Sequence, residues 1–163
     1  MQPDLLHLTP SKPFPNNALP VRLYRAAVQG DDLAGQIETL FSANGWGGTW
    51  RNGIFDYHHF HATAHEVLGC SRGSVDVLLG GPDGETVTLN AGDIAGLPAG
   101  TAHRNVGHSS DYQIIGAYPP GQSPDMEYGD ADRYDAAVAS IRSVPLPDRD
   151  PLTGEAFTAG QQP

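Results

Sequence analysis

The feature that most constrains this chain is a series of short apolar or alternating runs between Trp50 and Tyr118, each ended by a turn signal. Runs such as SVDVLLGG and ETVTLN have the length and composition of strands, and the residues between the runs are rich in Gly, Pro, Asn and Asp. The 20 glycines and 14 prolines of the chain also disfavour a helical architecture. About seven strands at this density predict an antiparallel sandwich or a small closed barrel over residues 50–118.

The segments on either side of this region predict one helix each, packed outside the barrel. Residues 32–43 carry apolar side chains at helical spacing, after an aspartate pair that can cap a helix start and before Asn44-Gly45, which can end one. Residues 130–142 predict the second helix. The Pro-rich arm and tail predict extended chain, the tail partly disordered. We therefore expect one domain over 1–163, with a barrel core at about 50–118, an arm and helix in 1–49, and a helix and tail in 119–163.

Composition limits the partners that such a chain can have. Nine basic residues face nineteen acidic ones, a formal charge of -10, so we expect neither a nucleic acid nor a membrane partner. No apolar stretch approaches the roughly 20 residues that a membrane helix needs. The N-terminus, MQPDLLHLTP, lacks the basic start and apolar segment of a secretory signal, which favours a cytoplasmic location. Cys70 is the single cysteine, so no intrachain disulfide can form.

Four of the seven histidines lie in the stretch HHFHATAHE at positions 58–66. Side chains two residues apart in a strand share one face, so His59 and His61 are expected to point the same way and His58 the other way. The residues between His61 and Glu66 suit a turn, which would bring the carboxylate of Glu66 beside the imidazole pair.

Two imidazoles and a carboxylate form a partial shell for a divalent metal. His103, which follows the Pro-Ala-Gly turn at 98–100, is the obvious supplier of a fourth donor. Two other interpretations remain open at this point. The histidines can decorate a surface, or one of them can be a core residue that hydrogen-bonds to Glu66.

The spacing of these residues resembles the two sequence motifs of the cupin superfamily. The first motif is matched in full by Gly53, His59, His61, Glu66 and Gly73. The second is matched by Gly92, Pro98, Gly100 and His103. The asparagine that usually ends the second motif is replaced by Gly107, with Asn105 nearby. Longer segments outside the two motifs, including NNALPVRLYRAA and PLPDRDP, resemble the small single-domain YjlB-like bacterial cupins.

This resemblance implies a double-stranded β-helix (jelly-roll) barrel that holds one divalent transition metal (Mn, Fe, Ni, Co, Zn or Cu), and it also implies a homodimer. It assigns the ligands to His59, His61, Glu66 and His103. Cupins with this shell include dioxygenases, isomerases and decarboxylases, so the resemblance implies a metal-dependent enzyme acting on a small polar metabolite. The alternative is a non-catalytic cupin that binds a metal or a small ligand as a sensor or store, because fold alone does not determine activity.

Other side chains near the predicted site have narrower expected roles. His65 is a candidate catalytic group for proton transfer at the barrel mouth, although a turn histidine is often only solvated. Cys70 shares the strand face of Glu66 and is either a small buried residue or a soft fifth donor. The pocket is expected to be lined by Phe55, Tyr57, Gln113 and Tyr118.

Overall fold

The computed structural model describes residues 1–158. The described chain contains nine strands, two α-helices and a short 3-10 turn at Ala131–Arg133. The strands are β1 (Asp4–Leu6), β2 (Val21–Tyr24), β3 (Gly47–Asn52), β4 (Glu66–Arg72), β5 (Ser74–Leu79), β6 (Glu85–Asn90), β7 (Ile94–Leu97), β8 (His103–His108) and β9 (Gln113–Tyr118). The helices are α1 (Leu33–Ala43) and α2 (Tyr134–Ser143).

The strands form two antiparallel sheets that share one apolar interior. Their orders are β1-β2-β7-β4-β9-β3 and β6-β5-β8. Leu68 and Ile114 of the first sheet pack in one buried cluster with Val77 and Leu89 of the second, so the sheets face each other as two layers. The predicted mainly β, jelly-roll-type fold is confirmed. Among residues 1–158, strand pairing does not join the two sheets into one ring, and barrel closure stays a prediction.

Both predicted helices are present, and α1 packs outside the six-stranded sheet. The carboxylate of Asp32 accepts a hydrogen bond from the Gly35 N–H at 3.1 Å and caps the start of α1. Ile37 and Phe41 are buried against the outer face of the sheet. A Cβ at Gly69 of β4 would lie 2.8 Å from Ile37 Cγ2, so the missing side chain lets the helix approach the sheet. The helix α2 packs at the end of the molecule where the HHFHATAHE stretch lies.

The stretch GIFDYHHFH (53–61), for which the expected alternation of His58, His59 and His61 presumes a strand, is irregular in the structure. The bridges that it forms in the described chain are isolated ones, from His59 to His103 and from Phe60 to Glu127. Successive residues thus pair with two different segments, and no ladder can propagate. The sheet also begins earlier than residue 50, because β1 and β2 extend it from the N-terminal arm.

The described part of the Pro-rich tail, predicted to be extended or partly disordered, is ordered and packs on the body of the protein. Trp46 Nε1 donates a hydrogen bond to the Arg149 carbonyl at 3.0 Å, and Asn44 Nδ2 donates one to the Pro151 carbonyl at 2.8 Å. Asp150 is buried. The end of the tail, residues 159–163, lies outside the described residues. No helix within residues 1–158 is long and apolar enough to cross a membrane.

Candidate metal centre

The structure brings three histidines and one glutamate together at one end of the interior. His59 and His61 come from the irregular stretch, Glu66 opens β4 and His103 opens β8. One nitrogen from each imidazole lies within 4.8 Å of the other two. Glu66 Oε1 lies 3.4 Å from the Nε2 atoms of His61 and His103. All four side chains are buried, so the cluster is a site inside the fold rather than a surface decoration.

Local backbone contacts explain why these residues meet although their segment is not a strand. His59 and His103 exchange backbone hydrogen bonds of 3.3 and 2.9 Å, which aligns the two chains at this point. The Gly100 N–H donates to the His61 carbonyl at 2.7 Å. Gly100 has φ +89°, and a Cβ there would lie 2.7 Å from the Asn16 carbonyl oxygen. The turn that delivers His103 therefore needs glycine at this position.

Hydrogen bonds fix how the imidazoles face one another. The Nδ1 atoms of His59, His61 and His103 lie 2.9, 2.6 and 2.9 Å from the backbone carbonyls of Tyr57, Asp125 and Thr101, respectively. A carbonyl oxygen can only accept, so each Nδ1 carries the ring proton. Each Nε2 is then left with a lone pair, and this is the form in which histidine binds a metal.

The cluster is therefore made of acceptors. Glu66 Oε1 is buried and has no hydrogen-bond partner among the described residues. Three imidazole lone pairs and this carboxylate oxygen need a cation between them, because acceptors cannot satisfy one another. Nitrogen and carboxylate donors of this kind suit divalent transition metals, so the residues present fit such an ion.

Shifts in pKa show which charges the site favours. Burial, reinforced by the nearby His103, lowers the pKa of His59 to about 3, so this ring is neutral at pH 7. Burial also opposes a charge on His61, but the contact with Glu66 outweighs it and raises the pKa of His61. Burial opposes ionisation of Glu66 as well, yet its contacts with His103 and His61 prevail and lower its pKa. The ionised Glu66 thus favours positive charge at the centre of the cluster.

A cavity of about 510 Å³ opens onto these four side chains. The Tyr118 hydroxyl lies in its wall and accepts a hydrogen bond from Trp50 Nε1 at 2.9 Å. Burial, and then the charge of Glu66, raises the pKa of Tyr118, so this hydroxyl keeps its proton and can donate it to a hydrogen bond. The other lining residues are Asn52, Gly53, Ile54, Phe55, Leu68, Tyr112, Pro124, Asp125 and Met126.

The four predicted pocket residues have different positions in the structure. Phe55 and Tyr118 line the cavity. Tyr57 stacks on Phe55 at its edge, with ring centroids 5.0 Å apart. Gln113 does not line it, and its side-chain oxygen instead accepts from Ser71 Oγ at 2.9 Å. The antiparallel register explains this difference, because Gln113 starts β9 opposite Arg72, the end of β4 remote from Glu66.

The remaining residues of the histidine-rich stretch, and Cys70, lie away from the cavity. His65 is buried, its Nδ1 accepts the Ala99 N–H at 2.8 Å, and burial lowers its pKa to about 4. This places it beside the Pro-Ala-Gly turn and not at the mouth. The His58 ring packs on Phe14, with centroids 5.4 Å apart. Cys70 Sγ lies 3.3 Å from the Arg72 carbonyl within the apolar interior, where burial raises its pKa to about 11.

Sequence reasoning did not single out Asp125, which organises the ligand stretch. Its carbonyl accepts from His61 Nδ1, and its carboxylate accepts the backbone N–H groups of Ala62 and Thr63 at 2.6 and 3.2 Å. Asp125 is more than 60 residues away in sequence from these partners. No local pattern connects the two segments, so only the folded chain reveals this contact.

Comparison with known proteins identifies relatives of this chain. It is 35% identical over 143 residues to YjlB of Bacillus subtilis (strain 168), an uncharacterised protein, and the match covers 87% of this chain and 85% of the relative. No family model matches.

Solved structures that resemble the fold are distant in sequence. Acireductone dioxygenase from Bacillus anthracis, with a cadmium ion in its active centre, is 15% identical, covering 64% of this chain and 82% of that one, with a TM-score of 0.43. The epimerase RmlC from Legionella pneumophila is 14% identical, covering 72% and 71%, with a TM-score of 0.42. The relation to YjlB shows that this chain belongs to the YjlB family. Its two motifs and its two-sheet topology are those of the cupin fold.

Proposed function

We propose that this chain binds one divalent transition metal through His59, His61, Glu66 and His103, and that it is an enzyme acting on a small polar metabolite. The observation that carries the proposal is the orientation of the cluster. Three backbone carbonyls hold the Nδ1–H groups of the histidines, so three Nε2 lone pairs and one carboxylate oxygen face the bottom of a cavity. An acceptor-only group in this position is suited to a cation and to little else.

The chain's own residues provide the rest of the site. When bound, a divalent metal supplies a Lewis-acid or redox centre with coordination positions open to a substrate. Tyr118 holds its proton at the hydroxyl oxygen and can donate a hydrogen bond to an oxygen atom of a bound molecule. Ile54 and Leu68 contribute apolar surface that limits the water around the reacting groups.

The cavity favours an enzyme over a metal store. A volume of about 510 Å³ lies within the range of small-molecule sites, roughly 300–1,000 Å³, and the ligand side chains form part of its wall. A store or sensor of metal needs no such space beside the ion. The oxygenase or isomerase/lyase chemistry, the homodimer and the cytoplasmic location remain predictions.

Metal titration of the stripped protein tests the proposed centre. We expect one equivalent of Zn²⁺ or Mn²⁺ to bind, as measured by calorimetry, and His59→Ala to lower the affinity by at least 100-fold, since second-sphere residues alone account for about 10–100-fold. His58→Ala is the matched control, because the His58 ring packs on Phe14 and outside the cluster. Equal binding by the wild type and a folded His59→Ala variant would contradict the proposal.

Turnover separates an enzyme from a binding protein. The metal-loaded protein is incubated with an extract of small metabolites in air-saturated buffer, and both oxygen and metabolites are followed. Catalytic depletion of oxygen or of a metabolite, lost in His59→Ala, supports the enzyme. Depletion limited to one equivalent per protein supports the non-catalytic alternative.

A further inference from the structure

The cavity beside the ligands carries no basic side chain. Among the described residues that line it, none is Lys or Arg, and its ionisable groups besides the histidines are Glu66, Asp125 and two tyrosines. The nearby arginines have other partners. Arg51 pairs with Glu38 at 2.6 Å, Arg133 pairs with Glu127 at 2.7 Å, and Arg104 Nε donates to the Asp56 carbonyl at 2.9 Å. A phosphate or other multiply charged anion would find no protein cation in this cavity.

The polar groups of the cavity suit uncharged oxygen atoms instead. The Tyr112 hydroxyl accepts hydrogen bonds from the Ile54 N–H at 3.2 Å and from Asn105 Nδ2 at 3.1 Å, which leaves its own proton free to donate. The Tyr118 hydroxyl likewise accepts from Trp50, and its own proton lies toward Glu66 at the ligand end of the cavity. Two neutral O–H donors therefore line a cavity whose fixed charge is negative, a combination that matches neutral ligands with oxygen acceptors.

An exposed group of aromatic rings adjoins the same cavity, and we call Phe55, Tyr57 and Tyr128 the aromatic shelf. The three side chains are 49%, 40% and 61% exposed. The Phe55 and Tyr57 rings are stacked, 13° from parallel, and Tyr57 lies 5.9 Å from Tyr128. Phe55 also meets the metal-facing ring of His59 at 5.3 Å. Large aromatic surfaces left exposed next to a cavity are typical of ligand-binding sites.

We infer that the site takes a small, uncharged molecule in which a planar ring carries two adjacent oxygen donors. This inference deepens the proposed function and rests on it. A divalent ion held by these four donors would have coordination positions open to two adjacent oxygens of the ligand. The ring would then lie against Phe55, where the Tyr112 hydroxyl can donate a hydrogen bond to the ligand. Phosphorylated and nucleotide-linked ligands are disfavoured, because no lysine or arginine in the cavity lining could pair with their phosphate groups.

Three hydroxamic acids that share one chelating group test the inference on the Zn²⁺-loaded full chain. Benzohydroxamic acid has the ring, acetohydroxamic acid lacks it, and phosphonoacetohydroxamic acid adds a charged group. By calorimetry we expect benzohydroxamic acid to bind about 2- to 12-fold more tightly than acetohydroxamic acid, the range that an aromatic pair provides. The phosphonate should bind no more tightly than acetohydroxamic acid.

Variants assign the preference to the aromatic shelf. In Phe55→Ala the ratio of the two dissociation constants should fall toward 1, whereas it should be unchanged in Leu146→Ala, which removes a similarly exposed apolar side chain elsewhere. A ratio of 1 in the wild type, an unchanged ratio in Phe55→Ala, or tightest binding of the phosphonate each overturns the inference while the metal centre stands. Failure to bind Zn²⁺ at all overturns the proposed function, and the inference falls with it.

Discussion

Two carboxylates, Glu66 and Asp150, are buried on opposite faces of the same six-stranded sheet. They differ in the number of hydrogen-bond donors that surround them. Their exposures are 3% and 4%, so burial does not distinguish them. Asp150 meets donors on every side. Arg22 and the Tyr24 hydroxyl bond to one of its oxygens, and two backbone N–H groups bond to the other at 2.8 Å each. Glu66 meets the lone-pair sides of His61 and His103.

The difference separates a structural polar cluster from a functional one. At Asp150 the positive charge of Arg22 and three further donors match the acceptors of the carboxylate, so the cluster is complete within the chain. At Glu66 the acceptors exceed the donors, and only something from outside the chain can balance them. Burial of polar groups is thus a weak indicator of function, whereas an excess of buried acceptors is a strong one.

Asp150→Asn should produce the largest effect on stability. The amide keeps the shape of the side chain but leaves the Arg22 guanidinium, 11% exposed, without its counter-charge. Removing one partner of a buried ion pair costs about 3–5 kcal/mol, so the free energy of unfolding in urea should fall by that amount. Metal affinity of the folded variant should be unchanged, because the cluster lies on the other face of the sheet.

The exposed ion pair between Glu38 and Arg51 is the control for this prediction. Its carboxylate and guanidinium form two short hydrogen bonds, of 2.8 and 2.6 Å, but both side chains are partly exposed to solvent. Glu38→Gln should therefore cost far less than Asp150→Asn. If the two variants unfold at the same urea concentration, the Asp150 cluster does not stabilise the fold as argued.

Glu66→Gln makes the same chemical change on the other face and should have the opposite consequence. Metal affinity should fall by at least 100-fold, about 2.7 kcal/mol, since the amide removes the only anionic donor of the cluster. The unfolding free energy of the metal-free protein should change by less than about 1 kcal/mol or rise, because the amide can donate to the Nε2 atoms of His61 or His103. Calorimetric metal titration and urea unfolding of the stripped protein measure the two effects. A large loss of stability in the metal-free protein would show that donors within the chain already satisfy the Glu66 carboxylate.

The sequence predicted what local spacing determines. Both helices, the turn-rich β fold and the meeting of His59, His61, Glu66 and His103 follow from periodicity and motif spacing. Contacts between distant segments that carry no such motif were not accessible. Tyr24 and Asp150 are 126 residues apart, so nothing near either one indicates the other. Gln113 was expected to line the pocket, but its position depends on the register between β9 and β4, which the sequence does not reveal.

Tyr118→Phe tests whether the Tyr118 hydroxyl is one of the metal ligands. Its effect on metal affinity should be smaller than that of Glu66→Gln. Without its hydroxyl, Trp50 Nε1 loses the acceptor that it has at 2.9 Å, which should lower the unfolding free energy by about 1 kcal/mol. Metal affinity should change by less than tenfold, since the hydroxyl keeps its proton and is not one of the four donors. Urea unfolding and metal titration check both expectations. A loss of affinity as large as that of Glu66→Gln would make Tyr118 a ligand.

Cys70→Ala should leave metal binding unchanged, which is the smallest effect expected. Cys70 follows Glu66 by four residues on the same face of β4, so strand alternation alone allowed its sulfur to be a fifth donor. The structure places Sγ 3.3 Å from the Arg72 carbonyl, in the apolar interior and not in the cavity wall. Its pKa, raised by burial to about 11, keeps the thiol protonated at neutral pH, whereas metals bind the thiolate.

Two measurements test whether Cys70 is a buried residue that does not bind the metal. The Zn²⁺ affinity of Cys70→Ala should equal that of the wild type, and the wild-type thiol should react with a disulfide reagent only after unfolding, with or without metal. Rapid labelling of the stripped protein that Zn²⁺ suppresses would place the sulfur at the metal instead. In that case the acceptor cluster would extend along β4 beyond Glu66, and the interior next to it would not be purely apolar.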